Sequence, residues 1–173
     1  MGMTRYVALL RGVSPQNARS ADLVRAFESA GLTKVRTVLS SGNVVFDSRA
    51  SSEARLTRQI EDALQQNLGC SFRTILRTRA FLHELLEADP FAAHAVPEGA
   101  KRVVSFLPDV STPRIALPHS ADGAFVLQQT GREVFTAYVP SEKGPVFMQL
   151  IEKAFGSEVT TRTWDTVRKC SIA

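Results

Sequence analysis

Arg11 and Gly12 close a short apolar run and open the loop Val13-Ser14-Pro15-Gln16-Asn17-Ala18-Arg19. A turn leading from a strand into a helix N-terminus presents free backbone N–H groups to an anion. Arg11, Asn17 and Arg19 would add side-chain donors; the competing reading is a solvated loop with Arg11 at the rim between two halves. A second feature is Ser41-Gly42-Asn43, a turn sequence in which Asn43 can orient a ligand and the serine can bond backbone. The third is the run Thr160–Lys169, which gathers four threonine hydroxyls, Arg162, Arg168, Lys169 and the single Trp, Trp164. An Arg at a strand end beside a helix start is placed to hold a carboxylate or phosphate. Trp164 would either wall such a pocket or anchor the segment in a core. The expected ligand-binding set is therefore Arg11, Gly12, Asn17, Ser41, Asn43, Arg162 and Trp164.

Other chemistries find little support. Gly12 lacks the Gly-Lys-Ser/Thr partner of a P-loop, and no Rossmann glycine pattern exists. No Gly-x-Ser-x-Gly elbow is present. His83, His94 and His119 are scattered, the last two expected in surface loops, so no metal site is expected. The pairs Glu61-Asp62 and Glu84/Glu87 fall on exposed helix faces. No cofactor is expected.

The elements that would position these residues follow from periodicity and punctuation. Arg5–Leu10 is a strand ending at Arg11-Gly12. Ser20 is expected to cap a helix with Leu23, Phe27 and Ala30 on its apolar stripe, stopped by Gly31. Lys34–Ser40 and Val44–Asp47 form a hairpin about Gly42. Ser51 or Ser52 caps a helix marked by Leu56, Ile60 and Leu64 and ended by Gly69, and Ser71–Thr78 alternates as a strand. The order over 4–79 is the split βαβ, ferredoxin-like plait. Alternation points Tyr6, Ala8, Leu10, Val35, Thr37, Leu39, Val44, Phe46, Phe72, Thr74 and Leu76 at the helices. The other face has Val7, Leu9 and Val45 at its centre and cations toward its edges. A lone plait would leave that apolar patch wet, so the second half is expected to cover it in part.

In the second half, Phe81, Leu82, Leu85 and Leu86 mark a helix ending near Asp89-Pro90. Residues 92–101 read as loop, and Arg102–Leu107 as a strand. Pro108, Pro113 and Pro118 make the next stretch irregular. Ala124–Gln129 and Glu133–Val139 form a second hairpin. Pro145 opens a helix with Phe147, Leu150, Ile151 and Phe155; Val159–Arg162 is a short strand, and Thr163 caps a last turn to Lys169. If the proline stretch replaces a helix, Arg102–Arg162 repeats the first half's order in degraded form. The fold class is thus α+β: a ferredoxin-like βαββαβ plait over 1–79, packed against a second α/β half over 80–173.

Composition sets the outer bounds. At 173 residues with 44% hydrophobic and 22% charged side chains, the chain can bury a core without disulfides or metal. It has no apolar run long enough for a transmembrane helix and no apolar signal-peptide core near its start. Tyr6 stands where a myristoylation motif beginning at Gly2 would want Ser or Thr. Cys70 and Cys170 share no motif, which fits a reducing, cytoplasmic setting. The net charge is +4, with a pI near 9.4. Residues 1–79 hold 12 Lys/Arg against 6 Asp/Glu, and residues 80–173 hold 9 against 11. That asymmetry suggests an anionic partner for the first half, or attraction between the halves.

Several blocks together resemble a bacterial family called domain of unknown function 1697. They are Tyr6-Val7-Ala8-Leu9-Leu10-Arg11-Gly12, Ser41-Gly42-Asn43-Val44-Val45-Phe46, Asp89-Pro90-Phe91 and Thr160-Thr161-Arg162-Thr163-Trp164-Asp165-Thr166-Val167, in that order along the chain. The resemblance implies a single cytosolic α/β unit and a bacterial source, and no activity. The chain departs from the family pattern at three places. Ser14-Pro15-Gln16-Asn17 stands where the family has Asn-Val-Gly-Gly and basic residues. Gly144-Pro145-Val146-Phe147 replaces a Lys-rich stretch, and Thr163-Trp164-Asp165 replaces Asn-Trp-Asn.

Three functions are compatible with these observations. The first is a small-molecule or anion-binding protein, whether or not it is an enzyme, with the seven residues converging on the ligand. The second is non-specific nucleic-acid binding by the basic sheet edges, although Val7, Leu9 and Val45 sit where an RNA-recognition motif needs aromatics. The third is a protein-interaction or dimerisation module.

Overall fold

The computed structural model describes residues 2–50 and 52–173. The chain forms two compact units, Met1–Glu84 with Arg168–Ala173, and Leu85–Val167. Among the described residues no helix is long and apolar enough to cross a membrane.

The first unit contains β1 (Thr4–Leu10), α1 (Ser20–Ser29), β2 (Thr33–Thr37), β3 (Asn43–Ser48), α2 (Glu53–Leu68) and β4 (Thr74–Thr78). Its sheet has the order β2-β3-β1-β4, with every pair antiparallel. This is the ferredoxin-like plait. Its core forms where Tyr6, Ala8, Leu10, Val44, Phe46, Phe72 and Leu76 meet Leu23 and Phe27 of α1 and Leu56, Ile60 and Leu64 of α2. The Phe46 ring lies 5.7 Å from Tyr6 and 5.5 Å from Phe27, centroid to centroid. Val7 faces Val45 across the β1–β3 ladder, and both are buried.

The details differ from expectation where local geometry intervenes. Ser20 is the first helical residue and Arg19 the N-cap, with no side-chain cap bond. Ser52 does cap α2, accepting from the Arg55 backbone N–H; Ser51 lies outside the described residues. Leu39 is 50% exposed rather than turned to the helices. β2 has ended at Thr37, and Leu39 takes φ +61°, so strand alternation no longer applies. A bulge between Thr33 and Arg36, with Lys34 at φ +48°, shifts the β2 register.

Two helices run across the division between units: α3 (Arg79–Ala88) and α5 (Trp164–Ser171). The second unit adds a 3-10 turn (Pro90–Ala93), β5 (Lys101–Phe106), β6 (His119–Ala121), β7 (Ala124–Thr130), β8 (Glu133–Tyr138), α4 (Val146–Phe155) and β9 (Thr160–Thr163). Its sheet order is β6-β7-β8-β5-β9, again antiparallel throughout. Without the edge strand β6, the order β7-β8-β5-β9 reproduces that of the first unit. The irregular stretch 107–118 takes the place of the first helix, as the proline spacing implied. Leu117 from that stretch joins Val126, Val134, Ile151 and Val159 in the core beneath α4. The Arg114 N–H donates to the Ala154 carbonyl at 2.8 Å, and Gln129 Nε2 donates to the Ser111 carbonyl at 2.7 Å.

His119, expected in a loop, lies in the edge strand β6, paired with Val126. His94 lies in a loop after the 3-10 turn, as expected, and shares a 2.6 Å hydrogen bond with Gln128.

Candidate functional site

Within the first unit, the loop after β1 and the β2–β3 turn are in contact. Gly42 adopts φ +87°, and a Cβ there would come within 2.9 Å of the Val13 Cβ and 3.0 Å of the Leu10 carbonyl oxygen. The Leu10 N–H donates to the Gly42 carbonyl at 2.8 Å, and the Arg11 N–H to the Arg73 carbonyl at 2.9 Å. Arg11, Gly12, Asn17, Ser41 and Asn43 thus share one end of the plait.

The two asparagine amides spend hydrogen bonds on their own turns. Asn17 Nδ2 donates to the Gly12 carbonyl at 2.7 Å while its Oδ1 accepts from the Ser14 N–H at 2.8 Å. Asn43 is fully buried, and its Nδ2 donates to the Val38 carbonyl at 2.9 Å and lies 3.1 Å from Ser41 Oγ. Both hold the loops in shape, which buried or turn amides do well because they replace missing backbone bonds.

Arg162 and Trp164 fall in the second unit. β9 sets Arg162 opposite Val104, itself opposite Phe135, so Arg162 shares a sheet face with that ring. Its Nη1 donates to the Thr161 carbonyl at 3.0 Å. Thr163 starts α5 as expected, accepting from the Thr166 N–H at 3.1 Å. Trp164 is half-buried and meets Phe91 and Phe135 edge-on, with centroids 5.1 and 6.4 Å away. The Arg102 guanidinium lies 5.7 Å from the Phe91 ring centre. Trp164 thus packs on an aromatic cluster and stays partly exposed.

A cavity of about 620 Å³ in the first unit is lined by Met3, Thr4, Arg5, Thr78, Arg79, Ala80, His83, Ser171 and Ile172. None of these belongs to the set expected from sequence. Tyr6 pairs with Thr78 across β1–β4, so Arg5 and Arg79 flank that pair at one sheet end. Arg5 Nε and Arg79 Nη1 each donate to the Ala173 backbone oxygen at 3.0 Å. Arg5 also binds Asp47 at 2.8 Å, so part of its charge is matched. Arg79 has no Asp or Glu side-chain partner among the described residues, and its Nη1 is engaged by the Ala173 oxygen. His83 stands one helical turn beyond Arg79 on α3, on the same helix face. The plait order itself is the signal that would have found this site, because it sets the start of β1 beside the end of β4.

A smaller cavity of about 250 Å³ lies in the second unit between Asp122, Tyr138, Pro145 and Phe147. The Tyr138 and Phe147 rings stack at 4.0 Å beside it. Lys143 donates to Asp122 at 2.9 Å, and that hydrogen bond, followed by the carboxylate's charge, raises the lysine above its ordinary 10.5. Among the described residues no three His, Cys, Asp or Glu side chains gather to hold a metal.

The division into units sharpens the charge asymmetry. The first unit carries 14 Lys/Arg against 7 Asp/Glu, a net +7; the second carries 7 against 10, a net −3. Arg168 and Lys169 near the end of α5 add to the basic unit.

A comparison with curated proteins gives no match. Among solved structures, the chain resembles the conserved bacterial protein SP0830 from Streptococcus pneumoniae. The likeness has a TM-score of 0.68 at 19% identity and covers 99% of this chain and 98% of that one. At that identity the likeness speaks for the fold. The family model described as protein of unknown function (DUF1697) matches residues 3–135. Three of the four motif blocks quoted above fall within that span, and the chain belongs to the DUF1697 family.

Proposed function

We propose that the protein binds a small anionic ligand in the cavity formed by Arg5, Arg79 and His83. The observation that carries this reading is the convergence of two guanidinium groups, each 3.0 Å from a single oxygen, that of Ala173. Each guanidinium has five N–H donors in a fixed fork. Arg79 spends one on Ala173 and keeps the rest for a ligand. Thr78 adds a hydroxyl: its oxygen accepts from the Phe81 N–H at 3.0 Å, which leaves its proton to donate. The net +7 of the surrounding unit raises the local anion concentration. A cytoplasmic setting goes with this reading, since Cys70 and Cys170 are both free thiols.

Titration of inorganic phosphate and acetate, followed by amide chemical shifts, tests the proposal. Shifts should map to Thr4, Thr78–His83 and Ser171. Arg79→Ala should weaken binding roughly 10- to 100-fold, the range for loss of a charge-assisted hydrogen bond. Absence of shifts at these amides with both anions would refute the site.

One observation favours a second reading, a polyanion such as single-stranded RNA. Arg36, Arg49, Arg55 and Arg58 are exposed in the basic unit and have no acidic partner among the described residues. Affinity for a polyanion would then fall with log salt at a slope of about −0.7 per neutralised phosphate. A salt-independent affinity would dismiss it.

A further inference from the structure

Independently of that anion-binding reading, we infer that the cavity of the second unit binds a small aromatic amine in its protonated form, with Asp122 as counter-ion. The cavity has a volume of about 250 Å³ and is built from two chain reversals. One is the turn between β6 and β7. Ala121 pairs with Ala124, so Asp122 and Gly123 are the two central residues of a hairpin turn. Both take positive φ, +48° and +82°, as a type I′ turn requires. The other is the loop from β8 to α4, residues 139–145. Two bonds tie it to the turn: the Val139 N–H donates to the Gly123 carbonyl at 2.9 Å, and Lys143 Nζ donates to Asp122 Oδ1 at 2.9 Å. The carboxylate at the cavity is thus carried on a turn of fixed shape.

The lining selects the class of ligand. Among the described residues that line the cavity, Asp122 is the one carboxylate, and no Lys, Arg or His joins it. Lys143 demonstrates that this carboxylate accepts an ammonium group, and it engages Oδ1 alone. Both side chains of that pair are exposed, so the pairing is weak and a ligand ammonium can share or replace it. Tyr138 and Phe147 supply the aromatic part of the site. Their rings stack at 4.0 Å with 11° between planes, and both line the cavity. An ammonium is attracted to the face of such a ring, and Pro145 and Val146 add apolar surface for the ring of a ligand. About 250 Å³ exceeds the roughly 150 Å³ of a cavity that takes up benzene, which leaves space for one ring and a short arm. The net −3 of the unit favours a cation over an anion.

Benzylamine, methylamine, benzyl alcohol and benzoate, titrated separately at neutral pH and fixed ionic strength, test this inference through amide chemical shifts. Benzylamine should shift the amides of Asp122–Ala124 and of Tyr138, Val139, Val146 and Phe147. It should bind roughly tenfold more tightly than methylamine, the low end for burying an aromatic ring. Asp122→Asn should weaken benzylamine roughly two- to fivefold, the range of an exposed ion pair, and leave benzyl alcohol unchanged. Lys143→Ala should act in the opposite direction and tighten benzylamine by a similar factor, because it removes the competing ammonium. Both positions are exposed, so the variants should fold. Benzylamine binding no better than benzyl alcohol or benzoate, or equally well to Asp122→Asn, would overturn the counter-ion. Equal affinities for benzylamine and methylamine would overturn the aromatic site. Weaker benzylamine binding in Lys143→Ala would overturn the competition between the two ammonium groups. Absence of shifts at these amides with every probe would remove the site altogether.

Discussion

The two units solve one topological problem with different coverings. In the first, β2-β3-β1-β4 is covered by α1 and α2. In the second, β7-β8-β5-β9 has the same order, one crossover helix, α4, and an irregular strap over 107–118 where the other helix would be. Strand order thus survives the loss of a helix. A hairpin fixes its two strands as neighbours, and a crossover helix returns the chain to the far side of the first strand. The missing helix only needs to cover apolar surface. Leu117 supplies part of that cover, and the Arg114 and Gln129 hydrogen bonds hold the strap in place. The extra edge strand β6 is possible because the strap reaches the sheet edge as extended chain.

The comparison is broken most directly by removing one covering residue from each unit. Phe27→Ala should cost about 3 to 5 kcal/mol, since the ring is fully buried against Phe46. Leu117→Ala, half-buried under the strap, should cost about 1 to 2 kcal/mol. Urea denaturation followed by near-ultraviolet circular dichroism measures both. Equal losses would mean that the strap covers its sheet as completely as a helix does.

Turn glycines give the next effect. Gly42→Ala combines a positive φ with a contact of 2.9 Å to Val13, and its loss should reach about 3 kcal/mol. Gly123→Ala in the second unit has φ +82° but no contact shorter than 3.6 Å, so about 1 to 2 kcal/mol is expected. A reversed order, read from thermal melts of the two variants, would contradict the close packing of the β1 loop on the β2–β3 turn.

Helix caps should separate the units less. Ser52→Ala removes the cap of α2 and should cost about 1 kcal/mol. Arg19→Ser should give α1 the side-chain cap it lacks and raise stability by about 0.5 to 1 kcal/mol. A loss on Arg19→Ser would show that the arginine makes a contribution larger than a cap.

The smallest effect belongs to the exposed Lys143–Asp122 pair. Its lysine titrates above the ordinary value, so the stabilising increment is present at neutral pH and lost as the pH rises through the folded-state value. Wild type should therefore melt slightly above Asp122→Asn at about pH 8, with the gap closing in strong alkali and in high salt. A gap that widens with pH would have the wrong sign for this pair.

By itself the amino-acid order determined the succession of elements in the plait and most of its inner face. β-branched runs, a four-residue apolar repeat and glycines at chain reversals are local signals, and local backbone preference acts on them directly. That is why alternation alone places Tyr6, Ala8, Leu10, Val44, Phe46 and Leu76 on the helix side, where the core holds them. Leu39 failed because alternation stops where pairing stops. The strand at His119 was not legible, since three residues between turns carry too little pattern.

The tertiary structure alone decided which distant side chains meet. Phe91 touches Trp164 across 73 positions of chain, Gly42 closes on Val13, and Arg5 and Arg79 reach one oxygen. Each of these contacts depends on strand register and on the path of a loop. Those are set by the summed burial of the whole core rather than by any preference of the residues themselves.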